Sequence, residues 1–270
     1  MSQKKMIEVV ILCSTGILVG FLAGLFGIGG GLIIVPVVTF LMIHFYNFPG
    51  ADAYAYGIGS SMLSIIFTGS IATYFHIKNN NFSVANISNG IGYLFFGSLI
   101  GSYIIHFASF YFLKYFFVIY CFFSAAKLLN QSNLLNFLYS FPLKIISFIF
   151  GLISSIVGIG GGTLFVPYFE SKKINIKLAI STSSALGVVI GLGTILGFIS
   201  QNLITENNLL LNSFFDYGNI YIKSFFFLTL PSIFTIFIST KLLISLDQNI
   251  IKKLFAYLLI TIGLMSLFNM

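Results

Sequence analysis

The sequence predicts an all-α, polytopic membrane protein of two homologous halves, each with a glycine-broken transmembrane segment. Three observations carry that prediction. Apolar residues make up 58% of the 270 positions and charged residues only 7%, too few charges to cover the surface of a soluble fold this large. Uncharged runs extend over 9–51, 53–77, 79–113, 145–169 and 178–205, several of them longer than the roughly 20 residues a helix needs to cross a bilayer. Finally, GLFGIGGGLIIVPVV at 24–38 returns as SIVGIGGGTLFVPYF at 155–169.

A first helix is expected over about 8–26, ending in the Gly27–Gly31 region. The opening MSQKKMIEVVILCSTGILVGFLAG has the charged-then-apolar order of a signal peptide. Cleavage near Ala23 would destroy the first glycine motif, so an uncleaved helix is expected. A shorter apolar piece follows at about 32–46, closed by HFYNFPGAD. Further segments are expected at about 53–75, stopping at the polar HIKNNNF, then 84–106 and 110–127. LNQSNLLNFLYSFP at 129–142 is polar and marks the boundary, giving halves 1–130 and 143–270 joined by a linker at 131–142. The second half restarts at about 143–158, crosses its own glycine cluster and continues to about 169, where ESKKINIK turns it. A run at 178–200 leads into SQNLITENN. LLLNSFFDYGN reads as a membrane-surface piece, and spans at about 220–240 and 250–268 complete the chain. About 7–9 apolar segments result, some too short for a full crossing. The halves are inverted if each holds an odd number of crossings.

Gly27, Gly29, Gly30, Gly31 and Pro36 align with Gly158, Gly160, Gly161, Gly162 and Pro167 at a constant offset of 131. Downstream, GSS at 59–61 stands where STS stands at 181–183. Short-segment symmetry of this kind is expected of a transporter built from two related halves. Consecutive glycines inside a membrane leave amides that must be paired and cost more entropy to order than other residues. One reading is close helix packing through small side chains. The other is a break that aims amides at a cavity from a helix N-terminus, which suits a small anion. The prolines fit a broken or kinked segment. A nucleotide-binding loop is excluded, because the Gly-Lys-Ser/Thr ending is missing. Ser60, Ser61, Thr182 and Ser183 read as N-caps, as interhelical hydrogen bonds, or as donors to anion oxygens beside the glycine amides.

All thirteen basic residues are lysines, spread singly or in pairs among loops, so lipid contact is expected and nucleic acid is not. Cys13 and Cys121 lie in apolar runs and read as packing residues. Asp52 reads as a helix-terminal group, and His44, His76 and His106 as span-end residues, His76 in a loop. The carboxylates at 8, 52, 170, 206, 216 and 247 sit at run edges or in polar stretches. The resulting neutral or slightly electropositive wall favours an anion. No histidines or carboxylates have metal-ligand spacing and no nucleophile has a base beside it, so neither a cofactor nor an enzyme is expected.

GLFGIGGGLIIVP and SIVGIGGGTLFVP, with GSS at 59–61, STS at 181–183 and HIKNNNF at 76–82, resemble the paired signature of the TauE/SafE family of sulfite exporters and toluenesulfonate-uptake permeases. The resemblance covers essentially the whole chain. It implies a bacterial-type inner-membrane permease, a secondary carrier of sulfite or a small sulfonate, with export the leading direction. It further implies a central site lined by Gly29, Gly30, Gly31, Ser60 and Ser61 with Gly160, Gly161, Gly162, Thr182 and Ser183. Ser181 replaces the glycine that the family places before the second hydroxyl step. Coupling to protons or sodium and the oligomeric state stay open. An anion channel and a membrane scaffold without transport are the competing readings.

Overall fold

A computed structural model describes residues 3–79, 88–130, 141–205, 216–217 and 220–269. The first half contains α1 (Gln3–Phe26), α2 (Gly31–Tyr46), α3 (Gly50–Lys78), α4 (Ile91–Phe107) and α5 (Phe110–Asn130). The second contains α6 (Leu143–Val157), α7 (Gly162–Ser171), α8 (Ile176–Thr205), α9 (Ile222–Ser245) and α10 (Gln248–Asn269). Between α8 and α9 a two-residue antiparallel pair, β1 (Asp216–Tyr217) and β2 (Ile220–Tyr221), sets Asp216 opposite Tyr221. Among the described residues, five helices are long and apolar enough to cross a membrane: Lys4–Phe26, Gly50–Lys78, Phe110–Lys127, Ile176–Leu203 and Ile222–Leu243. Four more are apolar but shorter.

Several expectations are corrected. Helix α3 begins at Gly50, with Pro49 as its non-helical N-cap, because proline is easily accommodated where no amide partner is needed. Ser60 and Ser61 therefore lie in the middle of α3, and Thr182 and Ser183 lie inside α8, so none of them is an N-cap. Pro36 and Pro167 sit within α2 and α7, and the chain breaks at the glycines upstream, where the break is expected. His76 is in the last turn of α3 and only 1% exposed, packed inside rather than in a loop. The linker segment 131–140 and most of the polar stretches after Thr205 and Asn79 lie outside the described residues.

Helix α1 and α2 fold back on each other, since the Lys4 ammonium donates to the Phe45 carbonyl 2.8 Å away. Helices α6 and α7 do likewise, with the Phe150 ring 5.1 Å from Phe165 and 6.2 Å from Tyr168. The other contacts come in matching pairs. Helix α1 packs along α9 as α6 packs along α4; α9 lies on α3 as α4 lies on α8; α3 meets α8, and α5 meets α10. Small residues make these approaches close. Gly16, Gly20 and Gly24 present a bare stripe of α1 to Leu228, Ser232 and Ser239 of α9, and Gly97 and Gly101 of α4 do so to Phe148 and Leu152 of α6. Where hydrocarbon removes the hydrophobic drive between helices, such van der Waals contact supplies much of the association.

Candidate functional site

The two glycine clusters end their first helices alike. Gly27 and Gly158 both adopt left-handed φ, at 67° and 78°, a conformation that costs other residues a clash with their own carbonyl. The Gly27 amide closes on Ala23 O at 3.0 Å and that of Gly158 on Ser154 O at 2.9 Å. They restart differently. Gly29 and Gly30 are left-handed at 65° and 79°, whereas Gly161 is right-handed at −65°.

These breaks touch. A Cβ on Gly31 would overlap the Gly158 carbonyl oxygen and stand 3.0 Å from Ile159 Cα. One on Gly160 would stand 2.7 Å from the Ile28 carbonyl oxygen, and one on Gly162 would stand 2.8 Å from that of Gly27. Helices α3 and α8 pack against both breaks. Gly158 meets Ile58 of α3 as Gly27 meets Ile180 of α8; Gly29 lies on Ile65, and Gly161 on the Ser183 carbonyl oxygen and the Gly187 amide. The structure thus brings the two motifs and both hydroxyl-bearing helices to one place, closed to solvent, with Ser60, Ser61 and Ser183 at 0% exposure and Thr182 at 1%.

Among the described residues, the turn bonds around the breaks are donated by Gly27, Ile33, Ile34, Gly158, Ile159, Leu164 and Phe165. The amides of Gly29, Gly30, Gly31, Gly160, Gly161 and Gly162 donate none of them. The first-turn amides of α2 and α7 are therefore available, at the positive ends of their helices. The hydroxyls divide. Ser61 donates to the Gly158 carbonyl at 2.7 Å, tying α3 to the second break, and Thr68 donates to the Gly29 carbonyl at 3.3 Å. Ser60 accepts the Tyr221 amide at 3.0 Å. Among the described residues, Thr182 Oγ1, Ser183 Oγ and Ser64 Oγ are buried without a hydrogen-bond partner. Buried hydroxyls are ordinarily satisfied, and leaving one unmade costs about 1–3 kcal/mol. Of the three, Ser183 belongs to the turn of α8 that packs on Gly161, so its unmet hydroxyl is carried on a turn that touches the second break.

Glu8 is the residue that sequence reasoning passed over. It lies inside α1 rather than at its edge and is 1% exposed. Its carboxylate accepts from the Tyr46 hydroxyl at 3.2 and 3.1 Å, from the Tyr221 hydroxyl, and from Lys223 Nζ at 2.6 Å. Burial first, and then the hydrogen bonds to Glu8 and Tyr46, hold the Tyr221 phenol far above its usual range, so it remains protonated. The lone signal in the sequence was a glutamate one turn past a lysine pair at the head of an apolar run.

Among the described residues, ten helices, five of them long and apolar enough to cross a membrane, and two mutually touching glycine breaks define a multi-pass membrane protein. Residues 12–266 match the family described as sulfite exporter TauE/SafE, and the chain belongs to that family. It is 28% identical over 270 residues to a probable membrane transporter protein of Methanocaldococcus jannaschii, covering 96% of this chain and 94% of that one. It is 29% identical over 276 residues to a probable membrane transporter protein of Haemophilus influenzae, covering 96% and 98%. A third relative, the probable membrane transporter protein YunE of Bacillus subtilis, is 29% identical over 220 residues, covering 71% of this chain and 77% of that one. No solved structure matches the chain.

Proposed function

We propose that the protein is a secondary transporter that exports a small sulfur oxyanion, sulfite or a short sulfonate, held where the two glycine breaks meet. The observation that carries this reading is that the unpaired amides of Gly29–Gly31 and Gly160–Gly162 lie in two touching breaks, and that α8, which packs on both, bears the buried hydroxyls of Thr182 and Ser183, partnerless among the described residues. Amides at helix N-termini stabilise an anion without a desolvated cation, and hydroxyls orient its oxygens. Ser60 contributes a further donor, and Ser61 braces the second break.

The halves 1–130 and 143–270 are proposed to be inverted repeats. Support comes from the matched contacts, α1 with α9 as α6 with α4, and from the ends of the two hairpins. The α1–α2 hairpin opens beside Lys4 and Phe45. That of α6–α7 opens beside Gly90, at the head of α4, the opposite end of the bundle. Because the site is closed to solvent, the anion enters and leaves as one half rocks against the other. Lys78 and Lys241 share a cavity of about 240 Å³, and Lys144 and the lysines at 172, 173, 177, 252 and 253 belong to the same end. Lys4, Lys5, Lys114 and Lys223 belong to the other. The positive-inside rule then sets the first end in the cytoplasm and the N-terminus outside.

Uptake and efflux of radiolabelled sulfite, sulfoacetate, sulfate and acetate by proteoliposomes, under imposed proton or sodium gradients, test this reading. Saturable movement of a sulfur oxyanion is expected, and the effective gradient identifies the coupling ion. Flux rising linearly with concentration would instead make the protein a channel. Silence towards all four anions from correctly inserted protein would favour a scaffold.

A further inference from the structure

We infer that Glu8 is a positioning residue for the anion site, acting on Ser60 through Tyr221; the inference rests on the anion-site reading above. Tyr221 is held at two points. Its hydroxyl is fixed by the Glu8 carboxylate and lies 2.8 Å from the Tyr46 hydroxyl, while its backbone amide donates to Ser60 Oγ at 3.0 Å. A serine hydroxyl offers one proton and two lone pairs. The Tyr221 amide fills one lone pair, and among the described residues the Ser60 proton has no acceptor. Ser60 is thereby set as a donor, next in sequence to the Ser61 that bonds the second break, and the amide polarises its O–H further.

The carboxylate itself is not an anion contact. A bare negative charge there would repel the substrate, but Lys223 and two phenols occupy it. Its burial on α1 is worth maintaining only if something depends on the geometry it enforces, because a buried ion pair is weak as a source of stability. Two segments distant in sequence converge on it, the end of α2 with Tyr46 and the continuous β2–α9 stretch with Tyr221 and Lys223, and the residue they jointly fix is Tyr221. Ser60, on α3, is what Tyr221 touches next.

The test compares radiolabelled sulfite uptake by Tyr221→Phe, Glu8→Gln and Ser60→Ala, and by each of the first two combined with Ser60→Ala, in proteoliposomes. Each of the first two is expected to raise KM about five- to tenfold, the size of one modest hydrogen bond, with Vmax within about twofold. In the Ser60→Ala background neither is expected to add anything, as a double-mutant cycle requires of residues acting in series. Tyr221→Phe keeps the ring packing and carries the test alone if Glu8→Gln does not fold. Unchanged KM in Tyr221→Phe, or an effect that adds in full to that of Ser60→Ala, overturns the inference while leaving the anion site standing. An unchanged KM in Ser60→Ala, or no sulfite transport by the unmodified protein, overturns it together with the site reading.

Discussion

Gly31→Ala is expected to reduce transport by more than about a hundredfold and to destabilise the fold by about 1–3 kcal/mol, the usual range for overpacking a closed contact. Gly31 has an ordinary helical φ, so the backbone conformation itself does not oppose alanine. Space does. The added methyl overlaps the Gly158 carbonyl oxygen and approaches Ser61 Oγ to 2.8 Å and Ile159 Cα to 3.0 Å. Two of those atoms belong to the other break's backbone, which cannot rotate aside as a side chain would. The substitution therefore pushes the two breaks apart and misaligns both sets of amides. Gly92→Ala in α4, whose added methyl meets nothing within 4 Å, is the control. It should match or exceed the parent in thermal stability, since alanine is the better helix former by about 1 kcal/mol, and should transport normally. Flux in proteoliposomes and thermal melting in detergent read both effects.

The double substitution Thr182→Val with Ser183→Ala should also impair transport, but without the loss of stability. Both hydroxyls are buried and partnerless, so replacing them with apolar groups of similar shape removes an unmet desolvation cost and should leave the melting temperature equal or higher. If they bind the anion, sulfite loses two charge-assisted hydrogen bonds, each worth roughly 1.5–3 kcal/mol, and KM should rise about tenfold or more per hydroxyl. A merely structural pair would lose stability and leave KM unchanged.

The breaks were legible because their cause is local. Left-handed Gly27 and Gly158 and the helices restarting after them follow from residue types adjacent in the chain. The doubling of the motif separated this from ordinary close packing. Packing glycines were legible in principle too, since Gly16, Gly20 and Gly24 recur every four residues on α1. What local pattern could not supply was the meeting of Gly31 with Gly158, or of Glu8 with Lys223 across 215 residues. Hydropathy reads Glu8 as the charged edge of an apolar run because the lysine that neutralises it lies in another helix. The hydroxyl steps are found as a repeated pattern, but expected starts near 53 and 178 already lie ahead of them, and the starts at Gly50 and Ile176 put them deeper still, so the capping reading fails. Hydroxyls inside a helix cannot cap it, so they must bond across helices, bond their own backbone, or bind a ligand.

The central claim, an anion held between the two breaks, is tested most directly with selenite, the heavier analogue of sulfite. A crystal structure of the unlabelled protein with selenite, measured at the selenium edge, would reveal its position by anomalous scattering. The expected result is one buried peak within hydrogen-bonding distance of the Thr182 and Ser183 hydroxyls and of amides from both glycine clusters. A peak at any other buried position, or none in protein that transports selenite, would contradict it.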